Sequence, residues 1–101
     1  MTVRSKFTDD DKVLLISIDG DFDFKLLHQF RTVYSSISDT SKNIVIDMMG
    51  TSTINSSALG MLLNMQRFLK KPDREITIIN CNDGVRKVFE ITRFDKKFNI
   101  A

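Results

Sequence analysis

Residues 44–63, IVIDMMGTSTINSSALGMLL, join a short β-branched run to a polar segment and then to an apolar helical pattern. The continuous run at 44–46 is typical of a strand buried on both faces, and therefore of a central strand. After the mostly polar segment 50–57, apolar residues return at helical spacing from Ala58. The stretch therefore predicts a buried strand, a polar crossover and a helix, in that order.

Two serines, Ser56 and Ser57, stand at the boundary between the polar segment and this helix. A hydroxyl at that place can accept a hydrogen bond from a backbone N–H group that has no partner in the first helical turn. The pattern predicts that these serines cap the helix. We take this junction as the candidate functional site.

Composition limits the class of protein. A chain of 101 residues has room for one hydrophobic core, and 42% hydrophobic with 28% charged residues is typical of a soluble globular domain. A net charge of +2 with dispersed basic residues does not indicate a nucleic-acid partner. No apolar run approaches the roughly 20 residues of a membrane span, and residues 1–10 lack the apolar segment of a secretory signal, so we expect a cytoplasmic protein. The single cysteine, Cys81, cannot form an internal disulfide and is predicted to be a small buried residue.

The first third of the chain predicts a hairpin and a helix. Residues 3–7 alternate between the two sides of a strand, and residues 13–18 form a second, more apolar strand beyond the polar turn 8–12. A helix follows, with its apolar stripe at Leu26, Leu27, Phe30, Val33, Tyr34 and Ile37. His28 lies off that stripe and is predicted to be solvated.

The acidic segment 19–23, DGDFD, resembles the opening of a calcium-binding loop, but the match fails further on. Phe24 stands where such a loop needs glycine, and Phe30 stands where it needs a bidentate glutamate. Asp21 and Asp23 are instead predicted to cap the first helix. We predict no metal site and no cofactor.

The second half predicts a helix, a strand and another helix. The second helix, 57–70, is apolar around most of its circumference, which indicates either deep packing or a partner-facing surface, and we favour packing. A strand at 75–81 leads to a third helix from Asp83 and Gly84, and the tail 94–100 closes as a short strand or turn. The order ββαβαβα predicts a single α/β domain with a mixed sheet.

In this order the chain resembles a STAS domain of the anti-sigma factor antagonist type, a family of bacterial partner-switching regulators. The resemblance rests on residues 44–60, on Asp19-Gly20 with the helix start that follows, and on residues 83–98. It implies a STAS fold over 1–101.

The resemblance places the family's phosphorylatable serine on Ser56. The partner-binding segment falls on Asn55, Ser56, Ser57, Ala58, Leu59 and Gly60. Three positions depart from the family pattern: Asn55 stands for aspartate, and Ala58 and Arg93 stand for glycine.

The resemblance implies binding to a serine kinase or anti-sigma-like regulator while Ser56 is unmodified, release on phosphorylation, and restoration by a protein phosphatase. The output would be transcription regulation or another pathway, and the oligomeric state is open. Ser56 would be a substrate and the protein not an enzyme, since the chain has no catalytic triad, zinc spacing or phosphate-binding glycine loop. The alternative, which Asn55 and Ala58 keep open, is a phosphorylation-independent scaffold or transporter-associated subunit that docks through the second helix.

The residues of the junction have two other interpretations. A Ser-Ser pair before a helix is, by local sequence alone, most simply a cap, and only the family resemblance favours phosphorylation of Ser56. Asn55-Ser56-Ser57 also matches an N-glycosylation motif, which is a coincidence in a chain without a secretory signal.

Overall fold

The computed structural model describes residues 2–8, 12–35 and 43–101. The strands are β1 Thr2–Thr8, β2 Val13–Phe22, β3 Asn43–Asp47, β4 Thr51–Ile54, β5 Ile76–Ile79 and β6 Asn99–Ile100; the helices are α1 Leu27–Ser35, α2 Ser56–Leu69 and α3 Asp83–Ile91. Short 3₁₀ turns at Phe24–Leu26 and Phe94–Lys96 precede α1 and follow α3. The predicted α/β architecture with a mixed sheet is confirmed.

The sheet has the order β1-β2-β3-β5-β6. The first two strands form the predicted antiparallel hairpin, and the β2–β3, β3–β5 and β5–β6 pairs are parallel. Ile16, Ile46 and Ile78 stand opposite one another on three neighbouring strands, and each is fully buried. This row of isoleucines forms the centre of the core.

The prediction that the strand at 44–46 is buried on both faces is wrong. Ile44 and Ile46 lie in the core, but Val45 and its cross-strand neighbours Leu15 and Thr77 are only half-buried on the opposite face. The strand is central because it pairs with β2 and β5, and a continuous apolar run does not distinguish a central strand with one packed face from one with two.

The predicted polar crossover contains a strand, β4, that sequence patterning missed. β2 pairs with β3 only as far as Ser17, and its last residues pair in parallel with β4, with a register shift between Gly20, whose φ is 90°, and Asp21. The hydroxyl of Thr51 is buried and donates to the Ile18 carbonyl at 2.7 Å. Because β2 is longer than predicted, it supplies the partner that makes the short segment TSTI a strand.

Helix α1 packs through two of the predicted stripe residues. Phe30 and Tyr34 are its buried side chains, and their rings lie 5.4 Å apart. His28 is exposed, as predicted. Ile37 and the central turn residues 9–11 lie outside the described residues.

The end of α3 explains one departure from the family pattern. Arg93, which follows this helix, has a φ of 63°, in the left-handed region that glycine adopts without steric cost. An arginine there retains the backbone turn and accepts the strain of the conformation.

Within the described ranges, no helix combines the length and apolar character needed to cross a membrane.

Candidate functional site at the junction of β4 and α2

Asn55, and not the following serines, caps α2. Its backbone is extended, with φ −120° and ψ −179°, and its Oδ1 accepts a hydrogen bond from the Ala58 N–H at 3.2 Å. The predicted cap at Ser56 and Ser57 is therefore wrong by one position. A capping residue must be extended, and Ser56 is already the first helical residue.

The two serine hydroxyls differ in their surroundings. Ser57 Oγ donates to Asn55 Oδ1 at 2.6 Å, and this side chain is half-buried. Ser56 is exposed, and across the described part of the chain its hydroxyl has no hydrogen-bond partner. A group brought to the end of β4 from outside can therefore reach the Ser56 hydroxyl without breaking a bond within the domain.

The remaining residues of the predicted partner-binding segment fall into two groups. Ala58 is completely buried, so its side chain belongs to the core. Leu59 is half-buried, and Gly60 is exposed with open space where a Cβ would stand. Packing within the domain therefore does not require glycine at position 60.

Residues from three other segments position the junction. The Asn55 N–H donates to the Phe22 carbonyl at 3.4 Å, which joins α2 to the end of β2. Asp47 Oδ1 accepts from the Met49 N–H at 2.9 Å and from Asn80 Nδ2 at 3.0 Å, and so fixes the turn after β3. Sequence reasoning missed Asp47 in this role, although an aspartate directly after a buried apolar run is a known turn former.

Asn82 ties α3 to the beginning of β4. Its Oδ1 accepts from the Val85 N–H at 2.8 Å and caps α3, while its Nδ2 donates to the Thr51 and Ser52 carbonyls at 3.1 Å each. One side chain therefore caps a helix and holds the neighbouring strand. The capping role of Asn82 could be predicted from its position before an apolar helical pattern. Its contact with β4 could not, because that contact joins residues far apart in the sequence.

Gly50 lies directly against the side chain of Asp19. The Gly20 N–H donates to the Gly50 carbonyl at 2.9 Å, and a Cβ on Gly50 would overlap the Asp19 carboxylate. Asp19 in turn accepts from Thr2 at 3.2 Å and from Arg4 Nε at 3.1 Å. A larger residue at position 50 must therefore displace a side chain that holds β1.

The other aspartates of the acidic segment also bind within the domain. Asp21 lies in β2 and not at a helix start, contrary to the prediction, and its Oδ1 accepts from the Thr53 hydroxyl at 2.8 Å. Asp23 caps the 3₁₀ turn as predicted and accepts from the Lys25 N–H at 2.9 Å. Among the described residues, no three histidine, cysteine or acidic side chains form a metal-binding group.

Two large apolar side chains are exposed at the edge of the sheet where the junction lies. Phe24 follows β2 and is 64% exposed, and Met49 follows β3 and is 74% exposed. β3 ends opposite Ser17 of β2, and β4 ends opposite Phe22, so Phe24 and Ser56 follow the ends of two paired strands and Met49 lies in the turn between β3 and β4. We call Phe24, Met49 and the segment Asn55 to Gly60 the junction edge.

Cys81 lies near the start of α3 and is half-buried, less than predicted. Burial raises the pKa of its thiol, and the positive charge of Arg86 opposes that shift. The thiol form therefore dominates at neutral pH, and Cys81 lacks the lowered pKa of a reactive cysteine.

The family model for the STAS domain matches residues 5–101. The chain belongs to the STAS family. It is 33% identical over 101 residues, the full length of both chains, to a STAS-domain containing protein of Pseudomonas aeruginosa (strain UCBPP-PA14). It is 24% identical to the anti-sigma-B factor antagonist of Staphylococcus aureus (strain NCTC 8325), over 91% of this chain and 86% of that protein.

Solved structures agree on the fold of this STAS domain. The anti-sigma factor antagonist SpoIIAA in its unphosphorylated form superposes with a TM-score of 0.70 at 20% identity, over 94% of this chain and 96% of that one. The Bacillus SpoIIAA in its phosphorylated form gives a TM-score of 0.73 at 20% identity, over 99% of this chain and 91% of that one. The resemblance inferred from sequence is confirmed for family and fold.

The capping role of Asn55 predicts how asparagine, in place of the family's aspartate, affects the stability of this STAS domain. We expect Asn55→Ala to lower the free energy of unfolding by about 1 kcal/mol, because the Ala58 N–H loses its side-chain acceptor and keeps only the Asn55 carbonyl. Asn55→Asp should leave stability within a few tenths of a kcal/mol or raise it, since a carboxylate also caps and meets the positive end of the helix. Urea denaturation of the three proteins checks this, and equal losses in both variants would show that the amide group, not capping, is what position 55 contributes.

Proposed function

We propose that this protein is a phosphorylation-controlled partner-switching regulator of the anti-sigma factor antagonist kind. It binds a serine kinase or anti-sigma-like regulator while Ser56 is unmodified, and phosphorylation of Ser56 releases that partner. A protein phosphatase restores binding. The family membership and the relatives named anti-sigma factor antagonists support the general kind of regulator.

The single observation that carries the choice of residue is the contrast between the two serines. The Ser57 hydroxyl is engaged with Asn55, whereas Ser56 is exposed at the first residue of α2 with its hydroxyl unengaged among the described residues. A kinase needs an accessible hydroxyl that it can orient toward ATP. This contrast supports Ser56 over Ser57 as the acceptor.

Ser56 acts in this scheme as a substrate. The partner kinase supplies ATP, the magnesium ion and the catalytic base; the Ser56 oxygen attacks the γ-phosphorus, its proton passes to that base, and ADP leaves. The product is a phosphomonoester with a charge of about −1.5 to −2 at neutral pH. The first turn of α2 carries no acidic side chain, so the helix N-terminus can accept this charge without loss of the fold.

Release of the partner follows from the cost of burying the new charge. The junction edge offers apolar contact area at Phe24 and Met49, with the small residues Ser56 and Gly60 on α2. A partner seated there would have to remove water from the phosphate dianion without a counter-charge prepared for it. Phosphorylation therefore weakens the interface and leaves the domain folded.

Gly60 gives a test of whether this helix face is a binding surface. A helical glycine costs roughly 0.5–1 kcal/mol relative to alanine, and nothing lies within 4 Å of the position that an added Cβ would take. We expect Gly60→Ala to raise the free energy of unfolding by that amount while weakening partner binding. Chemical denaturation and calorimetric titration with the partner measure the two effects, and a stabilised variant with full affinity would remove Gly60 from the interface.

The proposal is tested by incubating the protein with its cognate kinase and ATP and mapping the modified residue by mass spectrometry. The expected product carries one phosphoryl group on Ser56. Ser56→Ala should accept none, and Ser57→Ala, which removes the neighbouring hydroxyl, should be labelled at Ser56 like the parent. Label on Ser57, or on neither serine, would contradict the proposal.

A further inference from the structure

A groove lies between α1 and α2, near the carboxyl end of α2. Its volume is about 370 Å³, and its lining includes Arg31 and Tyr34 of α1 and Phe68 of α2. The ring of Phe68 packs edge-to-face with that of Tyr34, with 5.6 Å between the centroids, yet Phe68 remains 62% exposed. Every other large apolar side chain of α2 is buried or half-buried.

The concave shape around Phe68 sets this side chain apart. Single exposed apolar side chains are normal on protein surfaces and need no partner. Phe68, however, lines a groove whose other wall is α1, and the volume lies within the roughly 300–1,000 Å³ of clefts that hold a ligand. An apolar side chain from outside the domain can therefore be buried between the two helices.

The charged residues of these two helical segments have one sign. Residues 24–35 and 56–72 contain no aspartate or glutamate, and their basic residues are Lys25, Arg31, Arg67, Lys70 and Lys71. The helix dipole accounts for the three cations near the carboxyl end of α2. It does not account for Arg31, which is exposed in the middle of α1 and makes no ion pair with another described residue.

We propose that the groove between α1 and α2 docks an acidic amphipathic helix of a partner protein. An apolar side chain of that helix packs on Phe68, and a carboxylate beside it pairs with Arg31, whose guanidinium presents donors matched to carboxylate oxygens. An acidic partner is favoured because no carboxylate of α1 or α2 repels it. The concave shape favours a protein segment over the flat surface of a membrane.

The groove is separate from the junction edge. Phe68 follows Ser56 by 12 residues on α2, which corresponds to about 18 Å along the axis at the usual helical rise. The docking proposal therefore does not depend on phosphorylation of Ser56, and it is tested on the protein alone.

The probe is a synthetic peptide of about 18 residues, long enough to form a helix in isolation, with leucines along one face, glutamates beside them and alanine elsewhere. In a ¹⁵N-labelled sample of the protein, we expect this peptide to cause saturable shifts of the backbone amides of residues 28–35 and 64–69. The same peptide with lysine in place of glutamate should cause none. With serine in place of leucine it should bind about tenfold more weakly, because the apolar contact is lost. Binding of both charged peptides, or of neither, would contradict the proposal.

Phe68→Ala and Arg31→Gln remove the two contacts separately. We expect the first to weaken binding of the acidic peptide by about tenfold and the second by about fivefold. The matched controls lie on α3: Ile91→Ala truncates an apolar side chain that is 71% exposed, and Lys87→Gln removes an exposed positive charge. Both controls should bind like the parent. Equal weakening in the controls and in the groove variants would overturn the proposal.

A thermal melt separates binding from folding. Arg31→Gln should keep the Tm of the parent, because the Arg31 side chain makes no ion pair within the described part of the domain. A lower affinity of this variant is then not a folding defect, even if Phe68→Ala loses stability with its contact to Tyr34. If Arg31→Gln binds the peptide as tightly as the parent, the assigned carboxylate contact is wrong and the proposal fails.

A vesicle assay tests the other anionic ligand. Vesicles of phosphatidylglycerol should sediment without the protein. If they bind the parent, bind Phe68→Ala and Arg31→Gln more weakly, and the acidic peptide does not bind, the groove recognises an anionic membrane and the proposed protein partner is wrong.

Discussion

Ser56→Asp is expected to lower the affinity for the partner kinase or anti-sigma-like regulator by about 100-fold, equivalent to about 2.7 kcal/mol. The substitution places a permanent negative charge on the exposed first residue of α2, where a bound partner would have to strip it of water. Truncating or mismatching a buried charge at an interface typically costs 2–5 kcal/mol. The expected 100-fold loss lies in the lower part of that range, because aspartate carries one negative charge whereas phosphoserine carries nearly two. Isothermal titration calorimetry with the purified partner measures the change.

Unfolding of the domain cannot explain a lower affinity of Ser56→Asp for the partner, because this substitution should stabilise the domain. The first turn of α2 has no acidic residue, and a carboxylate there interacts favourably with the helix dipole by roughly 0.3–1 kcal/mol. Ser56→Ala should bind like the parent and lose only the capacity to be phosphorylated. Ser35→Asp, at an exposed position on α1, adds the same charge away from the junction edge and serves as the control. Unchanged affinity in Ser56→Asp would show that the regulated interface does not include this residue.

Local patterns predicted most of the fold. The alternation in residues 3–7, the apolar strands and the stripe of α1 each reflect burial of one face, and burial is what makes these elements form. The strand β4 was not predicted because its segment, TSTI, has a single apolar residue and forms a strand only by pairing with the end of β2. Its partner residues, 20–22 of β2, lie about 30 residues earlier in the chain, outside any local window around β4.

The cap of α2 was predicted one residue too late, at Ser56 and Ser57 in place of Asn55, and the reason for the error is physical. Asn, Ser and Asp are nearly equivalent as capping residues, so the sequence NSS offers three adjacent candidates and the pattern does not choose among them. The backbone conformation decides which of the three is the cap. The Asn55 N–H donates to the Phe22 carbonyl, and this hydrogen bond holds Asn55 extended, as a capping residue must be. The contacts of Asp47 and Asn82 were equally out of reach, since each joins segments separated in sequence by about 30 residues.

Among the substitutions considered, Phe30→Ala should lower the free energy of unfolding the most. Phe30 is fully buried, its ring centroid lies 5.4 Å from those of both Phe22 and Tyr34, and it is one of only two buried side chains on α1 among the described residues. Truncating such a ring typically costs 3–5 kcal/mol, a large part of the roughly 5–15 kcal/mol that holds a domain of this size together. Urea denaturation should show a lower midpoint with an unchanged slope.

The matched control for that prediction is Phe24→Ala, six positions earlier. The same atoms are removed from a ring that is 64% exposed and stands at the junction edge, so the free energy of unfolding should change by no more than about 0.5 kcal/mol. If partner binding weakens in Phe24→Ala while stability holds, the exposed ring belongs to the interface, whereas Phe30 serves only to fix α1 to the sheet. If Phe30→Ala lowers the free energy of unfolding by less than about 1 kcal/mol, contacts other than this ring hold α1 on the sheet. The end of β2, which contacts Asn55, would then be positioned by the sheet alone and not by packing against α1.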